Sequence, residues 1–300
     1  NTWSGCYMER NSFIKSHGLG NEYIILDNRN IDFSLTIDAI RRLCNVHYGI
    51  GSDGILLKVD SERADFGLKI YNPDGSEAEK SGNGLRIFCK FLYDYQFTRD
   101  KEFFVETPGG IVRANILEED RGIAVIISVD MGKAIFKSRE IPVNSDIPEF
   151  IGEKITAGDR DFEVNCVSVG NPHCVVIKNE LNVDEIKQYG PLLENHPIFP
   201  NRINVQFAKV INRDEAQILI WERGAGYTLA SGSSSCAVAC VLVKRNLVDR
   251  NLRLIMEGGT LAIEIDQDWN IRMTGEVKET AKGTLSTELI EDLDIPLQEG

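Results

Sequence analysis

Two stretches decide the fold: Ser81-Gly82-Asn83-Gly84-Leu85-Arg86-Ile87-Phe88-Cys89 and Ser231-Gly232-Ser233-Ser234-Ser235-Cys236-Ala237-Val238-Ala239. Each begins in small residues and then runs on largely apolar on every side, the pattern of a buried helix. The periodicity predicts helices over Gly82–Tyr95 and Gly232–Leu247, each following a strand and a turn. Ser81 and Ser231 lie half of the 300-residue chain apart. One unit of strand, turn, small-residue helix start and buried helix therefore occurs twice. This predicts two similar α/β domains of the α+β type, each presenting a helix N-terminus.

Outward from these helices, short β-rich runs broken by Gly, Pro, Asn or Asp dominate. They are Ile24–Leu26, Gly54–Val59, Phe66–Tyr71, Phe103–Glu106, Ile111–Leu117 and Ile123–Val129 in the first half. Val164–Val169, Cys174–Ile177, Ile203–Phe207, Gln217–Trp221, Leu252–Met256 and Leu261–Ile265 follow in the second. Thr36–Asn45 and Val183–Glu194 read as amphipathic helices, the former with Ile37, Ile40 and Leu43 on one stripe. The expected domains are 8–130 and 131–275, the first completed by a C-terminal strand near 276–288. Glu288–Gly300 carries five acidic residues and no basic one, and 289–300 is expected to be a solvated acidic tail.

Composition narrows the function. The 300 residues average about two domains' worth of chain, and 33 basic against 46 acidic residues give a net charge of −13. Such a field repels phosphates, so neither nucleic acid nor an anionic membrane is the expected partner. A small anion is still bindable, because one arginine or helix N-terminus outweighs a diffuse field at close range. No apolar run reaches 18 residues, and the first twenty residues lack the apolar core of a signal peptide. The residues ahead of Met8 read as an addition, and a cytoplasmic location is expected. Seven cysteines (Cys6, Cys44, Cys89, Cys166, Cys174, Cys236, Cys240) form no C-x-x-C pair, and only four histidines accompany them. That spacing supports neither a disulfide framework nor a zinc site. Cys236 and Cys240, one turn apart, read as core.

A helix N-terminus offers unpaired N–H groups and a positive dipole end, and glycine lets a ligand approach them. Two such ends converging on one carboxylate would stabilise the charge that develops when its α-proton leaves. The N-cap side chains would then lie on opposite faces of that carbon, as inversion requires. Capping by Ser and Gly explains either start alone. It explains less well the recurrence of both beside further polar motifs.

Those motifs are His17-Gly18-Leu19-Gly20-Asn21, Gly49-Ile50-Gly51-Ser52-Asp53-Gly54, Tyr71-Asn72-Pro73-Asp74-Gly75-Ser76, Ser81–Arg86 and Val129-Asp130-Met131-Gly132. Gly170-Asn171-Pro172-His173, Arg202-Ile203-Asn204-Val205, Glu222-Arg223-Gly224-Ala225-Gly226 and Met273-Thr274-Gly275 complete the set. In this order, from about Asn11 to Gly283, the chain resembles the diaminopimelate epimerase family. The resemblance implies two pseudo-symmetric domains, each a curled, mainly antiparallel sheet around a central helix, with the active site between them. It implies an isomerase independent of pyridoxal phosphate and of metals, interconverting LL- and meso-diaminopimelate on the route to lysine and peptidoglycan precursors. A homodimer is the oligomeric state it suggests.

By the same resemblance, Asn21, Asn72, Asn171, Asn204, Glu222 and Arg223 match substrate-binding positions. Arg223 suits the distal carboxylate through its planar fork, and Glu222 the distal ammonium. Gly82, Asn83, Gly232 and Ser233 match the helix starts that hold the reacting carboxylate. Taken singly, each Asn also reads as a turn residue, Glu222 with Arg223 as a strand-end ion pair, and His173 as structural.

The family's two catalytic groups are cysteines, and here both positions are Ser81 and Ser231. Tyr227 stands where the family usually has Glu, and Ser234 replaces a Gly. A hydroxyl is far less acidic than a thiol. A gap of about 5 pKa units disfavours the base by ~7 kcal/mol, or about 10⁵ in rate if nothing compensates. Serine needs a neighbouring base, and the motif sets none beside either residue except Lys80, were it buried. Four readings follow: a divergent epimerase; a relative acting on another amino acid as racemase, isomerase or dehydratase; a substrate-trapping double substitution; and a silent amino-acid-binding homologue. The Tyr227 and Ser234 changes favour natural divergence, since a trap needs neither.

Overall fold

A computed structural model describes residues 8–297. Cys6, the segment ahead of Met8 and the last three residues of the acidic stretch lie outside the described residues. The chain divides into two compact units: one runs to Val129 and resumes at Gly275, the other is Asp130–Thr274.

The first unit contains β1 (Ser12–Gly18), β2 (Asn21–Asp27), α1 (Ile37–Cys44), β3 (Ile55–Val59), β4 (Phe66–Tyr71), β5 (Glu77–Ala78), α2 (Gly82–Asp94), β6 (Glu102–Thr107) and β7 (Gly110–Asp120). β8 (Ile123–Lys133) carries the chain past the division. The second unit contains β9 (Ile151–Ala157), β10 (Arg160–Ser168), β11 (Pro172–Ile177), α3 (Val183–Glu194), β12 (Asn204–Asn212), β13 (Glu215–Glu222), β14 (Gly226–Thr228), α4 (Gly232–Lys244), β15 (Asn251–Met256), β16 (Gly259–Ile265) and β17 (Asn270–Glu276). β18 (Lys278–Thr284) and α5 (Thr287–Asp292) return to the first unit.

The two units repeat one pairing scheme. In the first, β18, β1 and β2 pair antiparallel, β2 joins β3 parallel, β3 pairs β4 antiparallel, and β4 joins β6 parallel. In the second, β9, β10 and β11 pair antiparallel, β11 joins β12 parallel, β12 pairs β13 antiparallel, and β13 joins β15 parallel. A parallel join needs a crossover, and the four joins are where α1, α2, α3 and α4 occur. Each unit is thus a mainly antiparallel sheet whose second crossover is the buried helix.

The matching helices end alike as well as begin alike. Phe97 N donates to Leu92 O (2.9 Å) and Gln96 N to Tyr93 O (3.1 Å) at the end of α2. Leu247 N to Leu242 O and Asn246 N to Val243 O, both 2.9 Å, repeat this at α4. Both are Schellman caps with a left-handed residue, Gln96 (φ 58°) and Asn246 (φ 55°). The cap at Asn246 is why α4 stops at Lys244 rather than running to Leu247. All six described cysteines are free and buried, Cys236 and Cys240 among them.

Other expectations need correction. In α1, capped by Thr36, the buried face is Ala39, Ile40, Leu43 and Cys44, while Ile37 is 57% exposed because its first-turn position rotates it off the core. β1, β9 and β17 were not legible as strands; β18 (Lys-Glu-Thr-Ala-Lys-Gly-Thr), in the stretch where a closing C-terminal strand is expected, is mostly exposed and pairs with β1. The stretch read as a solvated tail folds at least as far as Leu293, which is 1% exposed in an apolar cluster with Ile24, Leu26, Ile40 and Leu57. Arg42 caps that docking by donating to Ile295 O (2.9 Å). The charges of 288–294 hid an apolar face of Leu289, Ile290 and Leu293.

Candidate active site

Ser81 is the N-cap of α2 and Ser231 the N-cap of α4, in nearly the same extended backbone (φ −144°, ψ 120° and φ −152°, ψ 124°). Each hydroxyl accepts from the third helical residue: Gly84 N at 3.0 Å and Ser234 N at 3.3 Å. That satisfies one orphan donor per helix start. The geometry of a helix start leaves the N–H groups of Gly82 and Asn83, and of Gly232 and Ser233, without an intrahelical acceptor. Gly84 is closely packed: a Cβ there would sit 3.1 Å from both Leu56 Cδ2 and Ser81 Oγ.

In the first unit, the Ser81 hydroxyl also meets Tyr23 Oη at 3.1 Å. A chain of amides runs beside it. Asn21 donates to Asp53 Oδ2 (3.1 Å), Asn83 Nδ2 to Asn21 Oδ1 (3.3 Å), and the fully buried Arg86 to Asn83 Oδ1 (2.7 Å). An arginine only donates, so it fixes the Asn83 oxygen toward itself and the Asn83 N–H₂ toward Asn21. Asn72 stands apart, exposed in its own turn and donating to Ser76 Oγ at 3.0 Å. Lys80 is half-buried, not the buried base that would serve Ser81.

In the second unit, Glu222 and Arg223 go separate ways, as strand alternation dictates. The Glu222 carboxylate accepts from Thr228 Oγ1 at 3.0 Å, and the Ser231 hydroxyl lies near enough to favour its charged form. Burial pushes its pKa up, against the pull of those two hydroxyls. A base beside Ser231 therefore exists, contrary to the reading of the motif alone; the β13–β14 hairpin brings it there. The Arg223 guanidinium donates to Asn201 O (3.1 Å), not to Glu222, so the two are no ion pair. Asn204 is buried and committed to the backbone, accepting from Arg223 N (2.9 Å) and donating to Pro172 O (2.9 Å). Asn171 is half-buried, its Oδ1 2.8 Å from His173 Nε2. His173 itself is 0% exposed, and burial lowers its pKa to about 3, so the ring is neutral. Ser233 Oγ lies 3.4 Å from Ser231 Oγ.

Several supporting residues carried no signal in the sequence. Glu194, at the end of α3, is buried and accepts from Trp221 Nε1 (2.8 Å), Gly224 N (2.9 Å) and Arg202 (2.9 Å). It thereby pins the turn that carries Arg223. Tyr23, Asp53 and Gln206 likewise support site residues through contacts 28 to 58 residues distant, and Thr228 through one six residues away. Of the two further departures from the family pattern, Tyr227 pairs with Trp221 across the hairpin, on the face opposite Glu222 and Thr228. It donates to Glu257 (2.8 Å) under the Lys187 ammonium and leaves the site untouched. Ser234 does not: it is 1% exposed in the first turn of α4 and accepts from Gln206 Nε2 at 2.9 Å.

Among the described residues, no group of three or more His, Cys, Asp or Glu side chains could hold a metal ion. None of their helices is long and apolar enough to cross a membrane.

The family model described as diaminopimelate epimerase matches residues 13–137 and 165–280. "Diaminopimelate epimerase 2" of Nostoc sp. is 49% identical over 278 residues, covering 92% of this chain and 96% of its own. The diaminopimelate epimerase of Acetivibrio thermocellus is 39% identical over 272 residues, covering 90% and 97%. A hydroxyproline epimerase from Agrobacterium vitis, solved with trans-4-hydroxy-L-proline, has the same fold at 14% identity (TM-score 0.68, covering 91% and 90%). A methylitaconate-δ-isomerase shares it at 12% identity (TM-score 0.62, covering 91% and 94%). With relatives of such identity over nearly its whole length, and two units built on one pairing scheme, the chain belongs to the diaminopimelate epimerase family.

Proposed function

We propose that this protein is a cofactor-independent isomerase that interconverts LL- and meso-diaminopimelate by removing and returning an α-proton. The observation that carries the mechanism is the Glu222 carboxylate, held by Thr228 Oγ1 at 3.0 Å and with its charged form favoured by the nearby Ser231 hydroxyl at the start of α4. A free alkoxide is too costly at neutral pH, but a hydroxyl whose proton passes to a carboxylate as its oxygen takes another avoids one. Ser81 then returns a proton to carbon; in the reverse direction Ser81 takes the proton, and Ser231 gives its own to carbon and is refilled from Glu222. Ser81, with Tyr23 Oη beside it, is the second proton carrier.

The substrate's reacting carboxylate is assigned to the N–H groups of Gly82, Asn83, Gly232 and Ser233. Hydrogen bonds to a carboxylate strengthen as its α-carbon becomes carbanion-like, so these donors favour the transition state over the ground state. Arg223 is assigned to the distal carboxylate, and Asn21, Asn72, Asn171 and Asn204 to orienting the rest. The family relatives named for diaminopimelate support that substrate. A small-molecule amino acid is the partner; neither nucleic acid nor membrane is part of the reading, and a cytoplasmic homodimer is the proposed working form.

A second reading, a racemase or isomerase for another amino acid, is favoured by Ser234. Its hydroxyl occupies the first turn of α4, where it contacts Gln206. Proton NMR in D₂O separates the two. Loss of the α-proton signal of LL-diaminopimelate with appearance of the meso form supports the first. Exchange confined to other amino acids supports the second, and no exchange on any of them overturns both.

A further inference from the structure

A buried polar line runs through the second unit from a substrate-facing position to the start of α4. Asn171 Oδ1 is 2.8 Å from His173 Nε2, His173 Nδ1 is 3.0 Å from Gln206 Nε2, and the same Nε2 is 2.9 Å from Ser234 Oγ. His173 and Gln206 are 0% exposed and Ser234 1%, so bulk solvent does not compete for these bonds. Parallel pairing of β11 with β12 puts His173 opposite Asn204, two residues before Gln206, which explains why the ring and the amide meet.

The direction of each bond follows from counting donors. A neutral imidazole has one N–H and one lone pair. With Gln206 Nε2 directed at both His173 Nδ1 and Ser234 Oγ, both amide protons are used, and only the Gln206 Oε1 acceptor is left without a partner. The reversed amide would use that oxygen but strand two buried N–H donors, the costlier omission. His173 Nδ1 therefore accepts, its proton sits on Nε2, and that proton is donated to Asn171 Oδ1. The Asn171 amide then has one orientation: oxygen held by the ring, N–H₂ left as the donor.

We infer that Gln206 is a positioning residue that fixes His173 as the Nε2–H tautomer and, through it, holds the Asn171 amide with its N–H₂ group available to the substrate carboxylate. Ser234 is the second acceptor that holds the Gln206 amide in place. The role toward substrate rests on the proposed function, whereas the tautomer is a property of the protein alone.

The test uses protein labelled with ¹⁵N at histidine and long-range ¹H–¹⁵N NMR, which distinguishes the two tautomers, together with calorimetry of diaminopimelate binding. The native protein should show His173 protonated at Nε2. In Gln206→Glu the carboxylate accepts from the ring, so the proton should move to Nδ1. The ring would then accept from Asn171, reversing its amide, and affinity should fall about tenfold, the scale of one lost hydrogen bond. Gln206→Met, which is neutral and of similar shape, should leave a mixture of tautomers if the Glu variant folds poorly. An Nδ1–H ring in the native protein, or an unmixed Nε2–H ring in both variants, overturns the inference. So does a switched tautomer with unchanged affinity where Asn171→Ala weakens binding. If native protein binds no diaminopimelate, the proposed function fails, and the tautomer switch alone decides the part played by Gln206.

Discussion

The Glu222 carboxylate accepts a hydrogen bond from Thr228 Oγ1 at 3.0 Å, across the hairpin that separates them in the chain. β13 ends at Glu222, and β14 folds back on it with Ile220 opposite Thr228 and Glu222 opposite Gly226. Glu222 and Thr228 thus share a face, and Ser231, the N-cap of α4, follows Thr228 by three residues. A half-buried carboxylate with a raised pKa, near the hydroxyl that caps a helix start, is a proton acceptor placed where anionic charge is stabilised.

Replacing Glu222 by Gln keeps the shape and removes the base. Exchange of the substrate α-proton in D₂O should fall about 10²–10⁴-fold, the usual weight of a general base. Native exchange should rise with pH through the Glu222 pKa, above the ordinary carboxylate range, and the Gln variant should lose that dependence. An exchange rate equal to native would remove Glu222 from the reaction.

Ser81→Cys with Ser231→Cys replaces both hydroxyls by more acidic thiols. If hydroxyl acidity limits the reaction, turnover should rise by several powers of ten, toward the ~10⁵ set by the acidity gap. A full return to efficient epimerisation of diaminopimelate in one step would mean that the rest of the site is intact for it. Unchanged turnover would place the limit in the rest of the site, at Ser234 first.

Arg223→Ala should weaken substrate binding about 10–100-fold, because a charge-assisted paired contact is lost. Asn83→Ala should instead lower turnover more than affinity, since Asn83 opens α2 where charge develops. Steady-state kinetics with isothermal calorimetry separates the two effects. Unchanged affinity in the first variant would end the distal-carboxylate assignment.

Burial holds the His173 pKa at about 3 against an ordinary 6.5, so the unfolded chain binds this proton more readily than the native one. Stability from this group is complete above pH 6.5 and declines as pH falls toward 3, with a limiting slope of about 1.4 kcal/mol per pH unit. Urea unfolding at pH 7 and pH 5 should show a smaller loss in His173→Gln than in the native protein. Equal losses would mean that His173 is hydrated or protonated in the fold.

Much of this protein was legible residue by residue. α3 runs over Val183–Glu194 and β4 over Phe66–Tyr71, as read, because amphipathic periodicity and turn residues are local properties. The twofold recurrence was visible in the two small-residue helix starts, and both serines are N-caps because the small polar residue that precedes an apolar helix has one favoured conformation. β9 was not legible, since Gly152, Glu153 and Lys154 break its apolar run and only β10 makes it a strand. Nor was the folded acidic end, where Leu289, Ile290 and Leu293 are too few to reveal a face among so many charges.

By itself, the sequence determined the repeat, the identity of the two N-cap residues and the amides and arginine grouped in motifs around them. The tertiary structure alone decided how those groups are employed. Asn204 is drawn into backbone bonds, Glu222 is turned to Ser231 and away from Arg223, and His173 is sealed between Asn171 and Gln206. The physical reason is range. Capping and helix periodicity act over three or four residues, whereas the direction of a buried hydrogen bond depends on which strand the sheet has placed next to it.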